Sequence, residues 1–307
     1  MIEAAKPSLL MRCASAIAPR ITERIRSVET GVNRVAEMTG HIAALEQRLT
    51  DRLNNEIADL RGELMRTRRL LATEPTCSNG ISPGPAEIGE AISLEEAFER
   101  LEKVVPNAYR IWRELLDVNA VAFDGFPTDS CSVEGHQYAD SFRGFLTPYL
   151  RGRVLDIGCG PQPVPCYLES YPNDQIWGVD PLSRSEDHPF HFFRGLAEFL
   201  PWQNEQFDVA VISTSMDHVL LLDQSLDEVH RVLKPGGHFV VWVTFIDGSP
   251  VYDPYHADVA KIDDYHLFHF DEGWFVESIE RKFRIDESFA LERGRSCCSH
   301  FFALTPK

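Results

Sequence analysis

The sequence predicts an α/β chain, a parallel sheet with helices on both faces, preceded by a long amphipathic helix. Three observations carry this expectation. From residue 154 onward, short apolar runs closed by Gly, Pro or Asp recur as "VLDIGCGPQP", "QIWGVDPL" and "FDVAVIS", each with the look of a buried strand entering a turn. The stretch "SLDEVHRVLKPGGHFVVWVTF" then reads as a helix, a Pro-Gly-Gly turn and a further strand, and this alternation demands parallel pairing with crossovers. Finally, apolar residues between Arg20 and Ala72 fall at steps of three and four.

In chain order, residues 1–72 form the helical unit. Ile21, Ile25, Val28, Val32, Val35, Ile42, Leu45, Leu49, Leu53, Ile57, Leu60 and Leu64 define one seam. The eight-residue step from Leu49 to Ile57 exceeds a heptad, so the seam drifts as in an imperfect coiled coil. Such a stripe requires a partner, and homo-oligomerisation through residues 20–72 is expected; folding back onto the chain's own second domain is the alternative. Residues 73–90, "TEPTCSNGISPGPAEIGE", have the composition of a flexible linker. Residues 91–139 form a helical cap. Ser93 lies three residues before Glu96, the spacing of a capping box, and Pro106 divides the segment. Residues 140–307 carry the strands.

Charge narrows the function classes. The chain holds 30 Lys and Arg against 47 Asp and Glu, a net charge of −17. Residues 1–75 take 12 basic and 10 acidic residues of these, so the acidity belongs to the remainder. A surface of that sign repels phosphate backbones, which excludes nucleic acid as a partner. Seven cysteines without regular spacing point to a reducing compartment rather than a disulfide framework. "SLLMRCASAIA" is interrupted by Arg12 and preceded by Glu3, unlike an export signal, and no run is long enough to span a membrane. A cytoplasmic location is expected.

The chemistry concentrates in the strand ends. In "VLDIGCGPQP", Gly158 and Gly160 permit positive φ and let a ligand lie against backbone N–H groups. Asp180 follows Gly160 by 20 residues, the place of the acid that accepts ribose hydroxyls in nucleotide-binding α/β units. With "GLAEFLPWQNEQFDVAVIS" and "EVHRVLKPGGHFVVW", the second half of the chain resembles the class I S-adenosylmethionine-dependent methyltransferases. The resemblance implies a Rossmann-like seven-stranded sheet and S-adenosyl-L-methionine as cofactor. It implies that Gly158 and Gly160 lie under the methionine and ribose, that Asp156 reaches toward the amino group, and that Asp180 and Pro181 meet the ribose. Ala197 and Glu198 would flank the adenine, and Ser213 would close the fourth strand at the cofactor. Two positions depart from the pattern: Gln162 replaces a small residue, and Leu196 stands where many members carry aspartate.

Methyl transfer from a sulfonium is an in-line displacement, served by alignment and, for a hydroxyl acceptor, by a base. "STSMDHV" places Asp217 and His218 at the carboxyl end of the sheet, where open α/β sheets bind ligands. The insertion "YDPYHADVAKIDDYHLFHFDEGW" supplies His256, His266 and His269 among Asp253, Asp258, Asp263 and Asp264. Asp217, His218 and His266 are the candidate catalytic residues. The insertion has no recognised ligand spacing, so no metal site is expected. The predicted activity is O-methylation of a carbohydrate or other small hydroxylated acceptor. The alternative is a non-catalytic scaffold retaining the fold, against which the intact Asp156, Gly158, Gly160 and Asp180 speak.

Overall fold

The computed structural model describes residues 86–125, 138–182, 188–292 and 297–307, with scattered positions between Thr30 and Thr67. The chain divides into two compact units, Met1–Ile57 and Ala58–Lys307. The described positions from Thr30 to Thr67 are helical. Their seam residues stand in solvent: Val32, Ile42, Leu45, Leu49, Leu53, Leu60 and Leu64 are all more than half exposed. Ile21, Ile25, Val28, Val35 and Ile57 lie outside the described residues, as do positions 73–85 of the linker segment.

The rest of that segment is tied down. Ile88 bridges Trp202, the Gly89 N–H donates to the Pro201 carbonyl at 2.8 Å, and the Gln203 N–H donates to the Glu87 carbonyl at 2.9 Å. Helix α1 (Leu94–Val104) starts where Ser93 Oγ accepts from the Glu96 N–H, as the capping spacing predicts. Helix α2 (Pro106–Gly125) starts at the proline, whose missing N–H costs nothing in a first helical turn. A short helix α3 (Ala139–Leu146) precedes the sheet.

Strands β1 (Val154–Ile157), β2 (Ile176–Asp180), β3 (His191–Arg194), β4 (Phe207–Ser213) and β5 (Leu233–Ile246) pair in parallel. Helix α4 (Leu222–Val232) connects β4 to β5, and helix α5 (Glu272–Glu280) leads into β6 (Phe283–Glu292) and β7 (Cys297–Pro306). The sheet has seven strands in the order β3-β2-β1-β4-β5-β7-β6, with β7 antiparallel to both neighbours. The seven-stranded α/β expectation is met.

Strand alternation divides the core into two layers. Leu155, Ile157, Ala210, Ile212, Phe239 and Val241 face α1, α2, α4 and α5. Val154, Val209, Val211, Val240 and Trp242 face Phe142, Phe145 and Leu146 of α3. Each such large side chain contributes about 1.5–3 kcal/mol on burial. The regular alternation breaks after β1. Residues 161–172 form turns rather than a helix, and Pro161, Pro163 and Pro165 explain it by removing N–H donors. The Pro-Gly-Gly turn sits inside β5: pairing with β4 jumps from Leu233 to His238, and Gly236 takes φ of 75°.

Candidate functional site

Parallel strands end on one edge, so Ile157, Asp180, Ser213 and Ile246 come together there around a cavity of about 580 Å³. At the end of β1 the chain turns on Gly158, with φ of 72°, and its N–H donates to the Val179 carbonyl at 2.7 Å. A Cβ at Gly158 would stand 2.3 Å from Ser215 Oγ, so glycine is required by space as well as by φ. Gly160, with φ of 69°, donates its N–H to Asp180 Oδ2 at 3.1 Å. Asp180 Oδ1 accepts from the Leu182 N–H at 2.7 Å, so this buried carboxylate joins the two loops on either side of the cavity floor.

Gly158, Gly160, Asp180, Pro181, Ala197, Glu198 and Ser213 all line the cavity. Asp156 does not: it is fully buried behind the wall, and both its oxygens accept from the Tyr167 hydroxyl at 3.0 Å. Burial, reinforced by Asp156, holds the Tyr167 phenol well above its ordinary value, so the hydroxyl remains a donor. Tyr167 itself lines the cavity and stands between it and the Asp156 carboxylate. Glu198 is turned to the backbone, where its Oε1 accepts from Leu220 and Leu221 N–H at 2.7 and 3.1 Å. Burial raises its carboxyl, against the lowering effect of those amides. Thr214, directly after β4, takes φ of 59°, a conformation that costs a β-branched residue energy and marks the strand end as held by its surroundings.

The other end of the cavity is lined by imidazoles and carboxylates. The short 3₁₀ turn Met216–His218 carries Asp217 and His218, and the insertion brings in His266 and His269. The His218 and His266 rings are 4.6 Å apart, and those of His266 and His269 are 5.0 Å apart. Asp263 receives His266 Nδ1 at 2.9 Å and His269 Nε2 at 2.9 Å. Burial raises the Asp263 carboxyl, but the Tyr265 amide and the His266 side chain outweigh it and hold it down at about 2. Burial lowers His218 despite the pull of Asp217, which leaves a neutral imidazole able to accept a proton. His256 plays no part here: its Nδ1 accepts from the Asp258 N–H at 3.1 Å in an exposed turn.

Residues the sequence did not single out hold this end in place. The Trp112 indole of α2 donates to the His218 carbonyl at 2.7 Å, and Asn119 Nδ2 donates to the Tyr265 carbonyl at 3.2 Å. Trp112 sits on an apolar stripe and Asn119 on a polar helical face, and neither signals a site until α2 is folded over the cavity. Trp202 and Trp242, in contrast, are buried core residues.

Residues 155–241, which run from the glycine turn past the strand-end acid into β5, match the methyltransferase domain family. Over 105 residues the chain is 34% identical to the mitochondrial 2-methoxy-6-polyprenyl-1,4-benzoquinol methylase of Homo sapiens, covering 31% of each protein. It is 37% identical over 79 residues to the ubiquinone/menaquinone biosynthesis C-methyltransferase UbiE of Vibrio vulnificus, covering 26% of this chain and 28% of that one. The matches therefore span less than a third of these relatives' length. Among solved structures, the PH0226 protein of Pyrococcus horikoshii superimposes with a TM-score of 0.47 at 22% identity, over 61% of this chain and 99% of that one.

Proposed function

We propose that the protein is an S-adenosylmethionine-dependent methyltransferase acting on a small hydroxylated acceptor. The observation that carries the reading is a single cavity with two unlike ends: a glycine-and-carboxylate floor at β1 and β2, and an imidazole-carboxylate wall at Asp217, His218 and His266. The floor fits the cofactor. A Cβ at Gly158 would press on Ser215 of the cavity wall, Asp180 would accept ribose hydroxyls, and Leu196 and Ala197 would give an apolar bed for the adenine. When bound, S-adenosylmethionine supplies a sulfonium methyl group. The chain's own part is to align the acceptor oxygen and to take its proton. His218 and His266 are the groups able to do so, with Asp217 between them holding the acceptor hydroxyl.

O-methylation of a carbohydrate or similar polyol fits this polar end. A second reading is C-methylation of a quinol ring, favoured by the names of the two relatives above; there the same base would take a phenolic proton and enrich the ring carbon. The exposed apolar stripe of Ile42, Leu45, Leu49 and Leu53 supports self-association of the N-terminal unit beside this activity.

Titration calorimetry of the full chain with S-adenosylmethionine tests the first step. Asp180→Ala is expected to weaken binding by about tenfold to a hundredfold, the ~1.5–3 kcal/mol typical of hydrogen bonds to a charged group. Methyl transfer to a panel of glycosides and hydroquinols, with products assigned by NMR, then separates O- from C-methylation. Tight cofactor binding with no transfer to either class would favour the scaffold.

A further inference from the structure

We propose that Asp217, His218 and His266 form a binding site for a divalent transition-metal ion at the acceptor end of the cavity, with Asp263 as the carboxylate that orients His266. Two imidazole nitrogens and a carboxylate oxygen, one donor from each residue, all lie within 4.8 Å of one another. Asp217 Oδ1 is 3.9 Å from His218 Nε2, and Asp217 Oδ2 is 3.9 Å from His266 Nε2. These gaps are too long for hydrogen bonds, yet donors sharing one ion at about 2.1 Å stand roughly 3–4 Å from each other. Asp217 Oδ1 is buried and has no hydrogen-bond partner.

The orientation of His266 adds an independent argument. Its Nδ1 lies 2.9 Å from both Asp263 oxygens, and Asp263 Oδ1 is fixed in turn by the Tyr265 and His266 amides at 2.7 Å. With the ring proton on Nδ1 toward Asp263, the Nε2 lone pair faces the Asp217 carboxylate across the gap. Two electron-rich groups thus converge on one point, an arrangement that a cation satisfies, and the carboxylate–imidazole pairing is the one that orients metal-bound histidines. His218 Nδ1 lies 3.5 Å from Asn119 Nδ2, the limit of a hydrogen bond, so ligation through Nε2 requires only that the ring proton sit on Nδ1 and gives up only that contact. Mixed imidazole and carboxylate donors suit first-row transition ions rather than calcium. Three protein ligands leave coordination positions open toward the cavity, where an acceptor hydroxyl would be polarised; with the ion bound, that polarisation takes the place of His218 and His266 as bases and of Asp217 as the direct partner of the hydroxyl. That role rests on the methyl-transfer reading; the binding of the ion does not.

Separation in sequence hides the set, because Asp217 and His218 follow β4 while His266 comes 48 residues later in the insertion. The test is titration of the full chain with Co²⁺, followed by visible absorption and by calorimetry without cofactor or acceptor. The expected result is one ion per chain, lost by a hundredfold or more in His266→Ala and Asp217→Asn, and weakened about 10–100-fold in Asp263→Ala. His256→Ala serves as a surface control and should bind as the wild type does. Retained binding of S-adenosylhomocysteine reports that each variant is folded, and Asp217→Asn preserves shape should the histidine variant unfold. A wild-type chain that binds no Co²⁺, or binding that survives Asp217→Asn, overturns the site whatever the outcome of methyl transfer.

Discussion

Glu198 shows how one side chain can serve the site without touching a reacting atom. Its Oε1 accepts both the Leu220 and Leu221 amides and so fixes the loop that follows Asp217 and His218. Glu198→Gln keeps an oxygen for those amides, whereas Glu198→Ala leaves two buried donors without it and should cost about 2–3 kcal/mol of stability. The pH dependence follows from the raised carboxyl. A folded-state value above the ordinary one means that the fold retains a proton the unfolded chain has released. Its contribution is complete below the ordinary glutamate value and is lost as pH rises through the raised one. Scanning calorimetry should therefore find the wild type most favoured over Glu198→Gln in acid, with the advantage falling toward neutral pH; a constant difference would refute it. At this scale the sequence is informative where chemistry is local. Asp180 was legible from its 20-residue distance to Gly160. The pairing of Asp156 with Tyr167, and that of Asp217 with His266, were not, because only the folded chain brings them together.

Among the elements, α2 is the clamp of the histidine-lined end of the cavity. Its Trp112 holds the His218 carbonyl, Asn119 holds the Tyr265 carbonyl, and Asn107 Nδ2 holds the Ala257 carbonyl at 3.3 Å, so one helix pins both loops that carry histidines. Trp112→Phe removes the first bond and leaves a gap beside His218. Chemical denaturation should show a loss of about 1–2 kcal/mol, and amide exchange should quicken at residues 216–218; an unchanged midpoint would mean that α2 merely covers the cavity. Strands β1, β2, β4 and β5 were legible because a buried parallel strand is an apolar run with turn residues at its end. The segment 161–172 was not, since its apolar residues fit a helix while Pro161, Pro163 and Pro165 favour turns, and the prolines prevail. The Pro-Gly-Gly turn also merged into β5, because pairing resumes at His238 after a four-residue excursion that keeps the strand direction.

At the level of the whole molecule, charge is segregated along the chain. Residues beyond 75 carry 18 basic against 37 acidic residues and repel their own copies, whereas residues 1–75 are close to neutral. The exposed leucines lie in that neutral part: Leu45 is 52%, Leu49 66% and Leu53 58% exposed. Covering such side chains is worth up to ~1.5–3 kcal/mol each, enough over a repeated seam to offset the entropy of association. Self-association is therefore expected to run through the helical unit and to leave the acidic, cavity-bearing unit free to take up ligand. Light scattering of the full chain should report a multimer, and Leu45→Asp combined with Leu49→Asp should convert it to a smaller species by placing like charges in the seam. The same double variant should bind S-adenosylhomocysteine as the wild type does, since every residue lining the cavity lies beyond residue 111. A wild-type chain that scatters as a monomer, or a double variant whose mass is unchanged, would remove the seam as the route of assembly.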